Sequence, residues 1–555
     1  MIINMKDYRS NKMNHAVRRS MWLTLGIKDE DMTRPKIAII NSSSNLAVCY
    51  SHLDEIAKYA AKEIYKAGGL SFEIRTVAPA DFLYGGHSGG HILGSRDLIT
   101  NEIESAVEGP QLDGMVCLAS CDKTVPGQLM AAARLNIPTI VICCGYQPCG
   151  TYKGKHFDIE DLYQAMGHHA MGKITDEEIR EMSEAAIKGP GVCQGIGTAN
   201  TMHMACEALG FSLPGTTPIL ANSPQMWEAV SASCKRIIEM VDQDIKPRDF
   251  LTADNFENCV KTILTVSGST NCIKHFQAVA KEGKTDIDVF DMIDRFGDDV
   301  PLLVGIRPNG DHNIEDLEKA GGTLGVHKSL ESKLKLDAMN VNGKTLRENL
   351  KNAEIKNPEV IRPIDNAFNY RPSIILAKGN LARDCGIIKL QVNDEYKPSY
   401  FKGPAKVFTD TKTASEAVRT GKVVKGDVVV MCGFGVTGTP GMGATGGIIF
   451  ELDGMGIGSD VAIVTDGHAS GLCNLALMVI DVTPEAATGG EIGLVRDGDI
   501  ITIDALNRIL HVDVSDEEFE ERRKTAPDYL KKGEEGWLKI VQERAKPLNE
   551  GAVLC

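Results

Sequence analysis

The chain has 555 residues, 43% of them hydrophobic and 24% charged, which is the composition of a globular protein with two or three domains. Its formal net charge of -15 comes from acidic and basic residues that are mixed along the whole chain. This distribution lacks the clustered lysine and arginine that bind phosphate backbones, so we expect no nucleic-acid partner.

The N-terminal segment carries early charges and no apolar core, and no stretch of about 18 apolar residues follows it. We therefore expect a cytoplasmic protein without a membrane partner. Fifteen cysteines in a large chain of this kind indicate reduced thiols, metal ligands or small buried side chains rather than disulfides.

From about residue 35 to residue 350, short apolar runs alternate with amphipathic stretches. The run PKIAIINSS (35–43) precedes the helix-like SHLDEIAKYAAKEIYKAGG (51–69), and GMVCLAS (114–120) and IPTIVICC (137–144) repeat the rhythm. This alternation is typical of βαβ units, so we predict a three-layer α/β domain around a parallel sheet.

After Arg362 the pattern changes to short β-branched segments separated by Gly-Asp turns. The segments are GDVVVMCG (426–433), DVAIVTDG (460–467), IGLVRDGDIITID (492–504) and RILHVDV (508–514). They predict a β-rich, barrel-like C-terminal domain.

The segment between these two regions, NAEIKNPEVIRPIDNAFNYRP (352–372), contains three prolines and several asparagines and is the best linker candidate. We therefore predict an α/β domain over residues 1–360 and a β-rich domain over residues 373–555. A cleft between two domains is a common place for a binding site, so we expect the active site there.

Three cysteines occupy equivalent positions relative to these elements. Cys49 lies just past the strand-like IAIINSS, Cys121 directly follows GMVCLAS, and Cys193 lies in the glycine-rich GPGVCQGIG before a helix-like stretch. Ligands collect at the carboxyl ends of parallel strands and at helix N-termini, which makes one shared thiolate site conceivable. Their wide spacing matches no compact metal motif, however, and free cysteine more often packs as a small hydrophobe.

A denser group, Cys143, Cys144 and Cys149 in VICCGYQPCG, has the spacing of a metal motif at first sight. Adjacent cysteines at the end of a buried strand point to opposite faces of the sheet. We therefore expect this group to serve core packing.

The run CDKTVPGQLMAAARLNIP (121–138) resembles the signature of the dihydroxy-acid dehydratase and 6-phosphogluconate dehydratase family, in which Cys-Asp-Lys precedes a Pro-Gly helix start. The same family is matched by GVCQGIGTANTM with EALGFSLPG (191–215), SGSTN (267–271), NGKTLREN (342–349), KGNLARDCGIIK (378–389), GPAKVF (403–408) and TDGHASG (465–471). Matches along nearly the whole chain argue against coincidence.

The resemblance implies an iron–sulfur cluster held by Cys49, Cys121 and Cys193, with one iron position open for substrate. Three cysteines serve either a [2Fe-2S] or a [4Fe-4S] cluster, and we favour [2Fe-2S]. In the family the cluster acts as a Lewis acid, so the resemblance predicts chemistry on a hydroxyl group that leaves as water.

The resemblance further implies a Mg²⁺ or Mn²⁺ site at Asp81, Asp122 and Lys123, whose family counterpart becomes carbamylated. Ser470, in DGHASG, matches the serine proposed as the catalytic base. Each residue also has an ordinary interpretation. Asp122 is then the cap of the following helix, Lys123 a solvated lysine and Ser470 a turn residue.

The chain departs from the family pattern after Pro-Gly-Met, where family members place a glutamate metal ligand. Here PGMGATGG (440–447) has Ala444 at that position. Glu451 or Asp453 lies downstream, and either would replace the missing carboxylate only if the loop is shifted.

A second departure lies beside the proposed base, where His468 stands for a family arginine and Ala469 for an aromatic residue. Ser88, in GHSGG, also replaces an acidic residue found in many members. We interpret Ala444 and His468 as substrate-binding positions that distinguish this chain within the family.

Together these residues predict a hydro-lyase that converts a 2,3-dihydroxy carboxylic acid or an aldonic sugar acid into a 2-keto-3-deoxy acid. The sugar acid is favoured over a 2,3-dihydroxy-isovalerate-type substrate of branched-chain amino-acid synthesis, because the usual pattern is broken around His468. The alternative of another class is a non-catalytic iron–sulfur redox or iron sensor, which Ala444 favours and the retained Ser470 opposes. The expected partner is a small hydroxy acid, and the resemblance implies a homodimer or tetramer.

Overall fold

The computed structural model describes residues 12–86, 89–390, 398–469, 471 and 476–554, with side chains from residue 16 onward. The helices are α1 (Lys12–Thr24), α2 (Leu53–Lys66), α3 (Gly90–Glu108), α4 (Thr124–Leu135), α5 (Ile159–Ala170), α6 (Asp176–Ala186), α7 (Thr198–Ala208), α8 (Pro224–Gln243), α9 (Ala253–Thr265), α10 (Asn271–Glu282), α11 (Val289–Phe296), α12 (Ile314–Ala320), α13 (Gly322–Ser329), α14 (Leu346–Asn349), α15 (Thr411–Arg419), α16 (Gly447–Met455), α17 (Asp516–Arg523) and α18 (Gly536–Arg544). Among these helices, none combines the length and the apolar character that crossing a lipid bilayer requires.

The strands are β1 (Lys36–Asn41), β2 (Leu70–Arg75), β3 (Gly114–Ala119), β4 (Thr139–Cys143), β5 (Gly150–Tyr152), β6 (Lys155–Phe157), β7 (Ile374–Gly379), β8 (Ala382–Lys389), β9 (Tyr400–Phe408), β10 (Val428–Met431), β11 (Ala462–Thr465), β12 (Leu477–Thr483), β13 (Ile500–Asp504) and β14 (Ile509–Val512). Short 3-10 helices connect several of them, including Val48–Tyr50, Ile364–Asn366 and Glu491–Leu494.

The N-terminal part contains a parallel sheet with the strand order β2-β1-β3-β4. Strands β1, β3 and β4 are buried along their full length, which explains why their sequences are unbroken apolar runs. Helices α2 and α8 pack on these strands, and the alanine-rich α4 contacts β3. The predicted α/β domain with a parallel sheet is confirmed.

The C-terminal part is a closed eight-stranded barrel with the order β10-β11-β12-β8-β7-β14-β13-β9, which confirms the predicted barrel-like domain. Its strands β9, β10, β11 and β12 run parallel to their neighbours in that series. Parallel neighbours require a crossover connection, and α15 and α16 supply two of these. The description of this domain as mostly β therefore missed these two helices, of which α15 contacts β9 and α16 packs against α15 and α5.

One predicted strand segment has a different structure. Within IGLVRDGDIITID (492–504), only Ile500–Asp504 is a strand, and a short 3-10 helix covers Glu491–Leu494. Gly498 has a φ of 89° and turns the chain between them. Ile492, Leu494 and Val495, in the first half of this segment, pack in the apolar core of the barrel without forming a strand.

The predicted linker, residues 352–372, is packed against the α/β domain. Val304 and Ile361 form a β-bridge, as do Leu302 and Asn369, and Arg362 N donates to Leu303 O at 2.9 Å. The segment is therefore hydrogen-bonded along the surface of the first domain and is not a free linker. The domain limits at residues 360 and 373 stay a prediction.

Candidate active site

The turn after β3 presents the Cys-Asp-Lys triplet at the start of α4. Ser120 N donates to Thr124 Oγ1 at 2.8 Å, and Thr124 Oγ1 donates to Cys121 O at 2.8 Å. These bonds close a tight turn, so that Cys121, Asp122 and Lys123 all precede the first helical residue. The proposed ligands therefore lie at the carboxyl end of a central strand, where parallel sheets bind ligands.

Three thiols lie around this turn, with Cys121 hydrogen-bonded to Cys49 and Cys193 close enough to be affected by the charge of Cys49. Cys49 lies in the short helix Val48–Tyr50, and its carbonyl accepts a hydrogen bond from Ser120 Oγ. The pKa of Cys121 is raised well above its usual value by a hydrogen bond with Cys49 and by burial. Burial also raises the pKa of Cys193, and negative charge on Asp122 and Cys49 raises it further.

The raised pKa values of Cys121 and Cys193 mean that both thiols hold their protons when no metal is bound. A cationic iron–sulfur cluster bound by these sulfurs would remove the repulsion between their thiolates, because metal binding displaces thiol protons. Three soft sulfur donors around one turn are the donor set that such a cluster uses, and their Sγ atoms are not all within 4.8 Å of one another, as ligands of a single ion would be. The residues present therefore fit the group that the resemblance implies.

The acidic residues form a second group that contains Lys123. Lys123 Nζ lies 2.9 Å from Asp81 Oδ2 and 3.9 Å from Asp122 Oδ2, and its side chain is only 2% exposed. Burial would lower the pKa of Lys123, but the charges of Asp81 and Asp122 outweigh burial and raise it. Burial and the charge of Asp81 raise the pKa of Asp122 to about 7.

Two of the ordinary interpretations are therefore wrong. Lys123 is not solvated, and Asp122 does not cap α4, whose N-terminus has no side-chain cap. The carboxylates of Asp81 and Asp122 are hard oxygen donors, and the buried Asp81 Oδ1 has no hydrogen-bond partner that would compete with a cation. They fit a divalent cation such as Mg²⁺.

A cavity of about 300 Å³ connects both groups and lies between the α/β domain and the barrel. Its lining residues are Asp81, Phe82, Gly85, Ile92, Cys121, Asp122, Tyr163, Cys193, Gly195, Gly197, Thr198, Ala199, Asn200, Asn271, Ala444, Gly446, Gly447, Phe450 and His468. The structure thus brings most of the predicted site residues to one cavity.

One side of this cavity is aromatic. The rings of Phe82 and Tyr163 lie 4.8 Å apart between centroids, and those of Tyr163 and Phe450 lie 5.5 Å apart. Neither lysine nor arginine is found among the described residues that line the cavity. The walls are therefore apolar or neutral apart from the thiol and carboxylate groups.

His468 and Ala444 are neighbours on the barrel side. The two residues form a parallel β-bridge, with Thr445 N donating to His468 O at 2.9 Å and His468 N donating to Gly443 O at 3.1 Å. The imidazole is 5% exposed and its Nε2 has no hydrogen-bond partner. Burial, followed by the charges of Lys274 and Lys123, lowers the pKa of His468 well below its usual value, so the ring is neutral.

Asn271 offers a second unpaired atom to the same cavity. Its Nδ2 donates to Thr198 Oγ1 at 3.2 Å and to Ala469 O at 3.4 Å, whereas its Oδ1 is buried without a partner. The sequence pattern assigns no role to this asparagine, although it ends the SGSTN motif. Its position in that motif at the start of α10 was the only available signal.

Glu451 and Asp453 do not replace the missing glutamate. Glu451 accepts hydrogen bonds at 2.6 Å from Ser415 Oγ and Arg419, and Asp453 Oδ2 lies 3.2 Å from His168 Nε2. Neither residue lines the cavity. The loop shift that would make either one a ligand is absent from the structure.

Ser470 lies outside the described residues, as does Ser88. Its neighbours are described: Ala469 O accepts the bond from Asn271, and Gly471 lies against Ser269 and Gly197. The assignment of Ser470 as the base stays a prediction.

The denser cysteine group divides into two. Cys143 and Cys144 are buried, with Cys143 Sγ at 3.8 Å from Ser212 Oγ. Cys149 is partly exposed and contacts His156, a pairing that the sequence analysis missed.

Comparison with known families agrees with this geometry. The family models that match both the parallel-sheet domain and the barrel are those of hydro-lyase dehydratases. Residues 34–349 match the family model of the dihydroxy-acid/6-phosphogluconate dehydratase N-terminal domain, and residues 359–552 match that of the C-terminal domain. The chain belongs to this family, whose members use iron–sulfur clusters and Mg²⁺.

Proposed function

We propose that the protein removes water from an unphosphorylated aldonic sugar acid and releases the 2-keto-3-deoxy acid. The observation that carries the proposal is the meeting of Cys121, Cys193, Asp81, Asp122 and His468 on one cavity. Thiols that would hold a Lewis-acidic cluster and carboxylates that would hold a divalent cation are donor sets whose metals can assist elimination of a hydroxyl group.

The described part of the cavity lining has no cationic side chain, which supports an unphosphorylated substrate. A phosphate dianion is usually bound by lysine, arginine or several backbone N–H groups. The described lining contains neither lysine nor arginine, and it offers an anion only the backbone N–H groups at the starts of α7 and α16. We therefore place 6-phosphogluconate below the free aldonic acids.

The two unpaired polar atoms support a hydroxylated substrate. A buried acceptor or donor without a partner costs about 1–3 kcal/mol. His468 Nε2 and Asn271 Oδ1 are both buried in the cavity wall without a hydrogen-bond partner. A sugar hydroxyl can donate to Asn271 Oδ1, and another can form a hydrogen bond with His468 Nε2. An arginine at position 468 would be charged and larger, so the neutral imidazole favours a neutral polyol tail.

Residues of this chain have separate tasks in the proposed reaction. Cys49, Cys121 and Cys193 would hold the cluster, and Asp81 and Asp122 would hold the divalent ion. Lys123, an ammonium paired with Asp81 in the structure, would join them after losing its proton and becoming carbamylated. When bound, these groups supply the positive charge that polarises the leaving 3-hydroxyl and anchors the carboxylate.

Ser470 would take the C2 proton, and the resulting enol would tautomerise to the 2-keto acid. A serine hydroxyl has a very high intrinsic pKa, so its alkoxide needs nearby positive charge. His468 and Asn271 orient the substrate through its hydroxyls, and the domains on either side of the cavity exclude bulk water.

A branched 2,3-dihydroxy acid is the second candidate, because the aromatic side of the cavity favours an alkyl tail. Phe82, Ile92 and Phe450 form an apolar surface, and the small Ala444 leaves space beside it. The two candidates differ in which wall contacts the tail.

The test is an anaerobic screen of the purified protein with free aldonic acids, 6-phosphogluconate and 2,3-dihydroxy-3-methylbutyrate. The measured quantity is the rate at which each acid is converted to a 2-keto acid. His468→Leu and His468→Asn are compared, since asparagine keeps a hydrogen-bonding group. We expect His468→Leu to lower kcat/KM for the aldonic acid at least about tenfold, with a smaller loss in His468→Asn.

Preference for the branched acid, with equal kinetics in both variants, would select the second candidate. An iron–sulfur protein that turns over none of the acids, with or without Mg²⁺, would instead support the redox or iron sensor.

A further inference from the structure

A second group of reactive side chains lies near the hairpin β5–β6. Cys149 Sγ contacts His156 Nδ1, and His156 Nε2 lies 2.9 Å from Asp158 Oδ2. The thiol, the imidazole and the carboxylate therefore form a chain through the two nitrogens of one ring. None of the three lines the cavity described above.

The local structure holds this chain in place. Asp158 caps α5, because its Oδ1 accepts from Glu160 N at 2.8 Å while its Oδ2 faces His156. Burial raises the pKa of Asp158, but hydrogen bonding to His156 and the charge of Arg307 bring it below the usual value. Asp158 is therefore ionised and orients the imidazole.

The geometry does not suit a metal ion. His156, Asp158 and Asp161 lie close enough together to share one, but Arg307 donates to both oxygens of Asp161. Cys149 lies on the opposite nitrogen of His156 from Asp158, and the two nitrogens of an imidazole point apart. One ion cannot bind the sulfur and the carboxylates together.

We propose that Cys149 is a nucleophilic thiol that His156 activates and Asp158 orients, and that it reacts with hydroperoxides. A nucleophile, a base within hydrogen-bonding reach and a group that orients the base are the three parts of an activated nucleophile. Among the cysteines that the structure describes, Cys149 and Cys193 alone are not buried. Cys193 belongs to the proposed cluster ligands, which leaves Cys149 as the accessible thiol.

The base is needed because the thiol is protonated. Burial, and then the charge of Asp158, raises the pKa of Cys149 above its usual value. A free thiolate is therefore scarce at neutral pH, and reaction requires a local proton acceptor. His156 Nδ1 is that acceptor, although Gly150 O also lies 3.2 Å from the sulfur. The imidazole is 24% exposed, so small reagents reach the pair.

Hydrogen peroxide would oxidise Cys149 by two electrons. The thiol proton passes to His156 Nδ1, and the sulfur forms a bond to one peroxide oxygen while the O–O bond breaks. The other oxygen leaves as hydroxide and takes the proton to become water. Cys149 becomes a sulfenic acid, with sulfur oxidised by two electrons and peroxide reduced by two.

This thiol is linked to the cluster ligands through the backbone. Gln147 N donates to Val192 O at 2.8 Å, and Gln194 Nε2 donates to Gln147 O. The two residues that flank Cys193 in the chain are therefore hydrogen-bonded to Gln147, which lies two residues before Cys149. Helix α5, which Asp158 caps, carries Tyr163 of the cavity. The site is thus separate from the cavity but adjoins the segments that build it.

The experiment uses the anaerobic holoenzyme, limiting hydrogen peroxide and dimedone, with peptide mass spectrometry of the Cys149 adduct. Iodoacetamide labelling rates provide a second measurement without an oxidant. His156→Asn removes the base, and Asp158→Asn keeps a good helix cap but loses the charge that orients the imidazole. Buried Cys234 is the internal control, and Cys149→Ser should form no adduct at position 149.

We expect the Cys149 rate to fall about 100-fold in His156→Asn, the lower end of what a positioned base contributes. A smaller decrease is expected in Asp158→Asn, and Cys234 should not react. Equal Cys149 rates in the wild-type protein and both variants would overturn the proposal. It would also be overturned if Cys149 reacted no faster than Cys234.

Discussion

Lys274 and Asp481 form an ion pair across the two domains, with 2.7 Å between Nζ and Oδ2 and side-chain exposures of 2% and 0%. Lys274 lies on α10, just after SGSTN, and Asp481 lies on β12 of the barrel. Asp481 N also donates to Gly467 O at 3.0 Å, directly before His468. The pair therefore holds the barrel side of the cavity against the α/β domain.

Breaking this pair should destabilise the protein strongly. Asp481→Asn leaves the Lys274 ammonium buried without an opposite charge, which costs about 3–5 kcal/mol of unfolding free energy. The double variant Lys274→Met/Asp481→Leu should recover most of that loss. Glu550→Gln is the control, because its pairing with Lys281 is exposed and long, at 3.9 Å, and contributes at most about 1 kcal/mol. Chemical denaturation measures all four proteins, and equal effects of the two single variants would contradict this account.

The cluster assignment predicts different outcomes for different cysteines. Cys49→Ser, Cys121→Ser and Cys193→Ser should each lose iron, sulfide and the brown absorbance, since a hydroxyl is a poor replacement for a thiolate. Cys143→Ser should keep all three, because Cys143 contacts Ser212 in the core. Iron and sulfide analysis of anaerobic protein is the measurement. Full iron content in any of the first three variants would remove that cysteine from the assignment.

Because Ala444 stands where the family has a glutamate ligand, we expect the protein to bind Mg²⁺ or Mn²⁺ with low affinity. A hard cation with fewer carboxylate ligands binds less tightly and keeps more water, so activity should need excess Mg²⁺ or Mn²⁺. Ala444→Glu should tighten Mn²⁺ binding at least about tenfold, and it should lower turnover because the longer side chain occupies substrate space. Titration by electron paramagnetic resonance measures free Mn²⁺.

Glu451→Ala is the matched control for this titration. Glu451 binds Ser415 and Arg419, so its removal should reduce stability without changing Mn²⁺ affinity. Tight Mn²⁺ binding by the wild-type protein that collapses in Glu451→Ala would show that the site is not depleted.

The assignment of Ser470 predicts a purely chemical defect. Ser470→Ala should keep cluster absorbance and thermal stability while turnover falls at least about 100-fold, as expected for loss of a positioned base. Steady-state kinetics with the active acid from the screen measures the loss. Near-normal turnover would transfer the role to another group, and His468 would be the next variant to test.

Glu160 predicts a pH dependence of stability. Its side chain is buried beside Gly195, and burial, with the charges of Asp158 and Asp161, raises its pKa to about 8 despite Arg307 and Lys389. The folded state therefore binds the proton more tightly than the unfolded state, whose pKa is near 4.5. This contribution is fully present below about pH 4.5 and is lost as the pH rises to about 8.

Glu160→Gln imitates the protonated form and should remove this dependence. Between pH 5 and pH 8 the wild-type protein should lose on the order of 4 kcal/mol relative to the variant. The exposed Glu359→Gln variant serves as a control that should follow the wild type. Parallel curves for Glu160→Gln and the wild type in denaturation at several pH values would contradict the raised pKa.

The amino-acid sequence by itself determined the architecture and the identity of most candidate ligands. Strands β1, β3 and β4 were predictable because strands buried on both faces must be apolar at every position. The Cys-Asp-Lys triplet was recognisable because its residues are adjacent, so its placement at one strand end needs only local structure. The barrel helices were missed because their short segments lie between strong strand patterns.

Only the tertiary structure decided which side chains meet. Asp81 and Lys123 are far apart in the chain but 2.9 Å apart in space, and Ala444 pairs with His468 through a bridge between two loops. The contacts of Glu451 with Ser415 and Arg419 show that this residue is not a ligand at the cavity. Likewise, only the hairpin places His156 between Cys149 and Asp158. Periodicity reports which face of an element is buried, whereas contacts between loops depend on how separate elements pack, and that information is not local in the sequence.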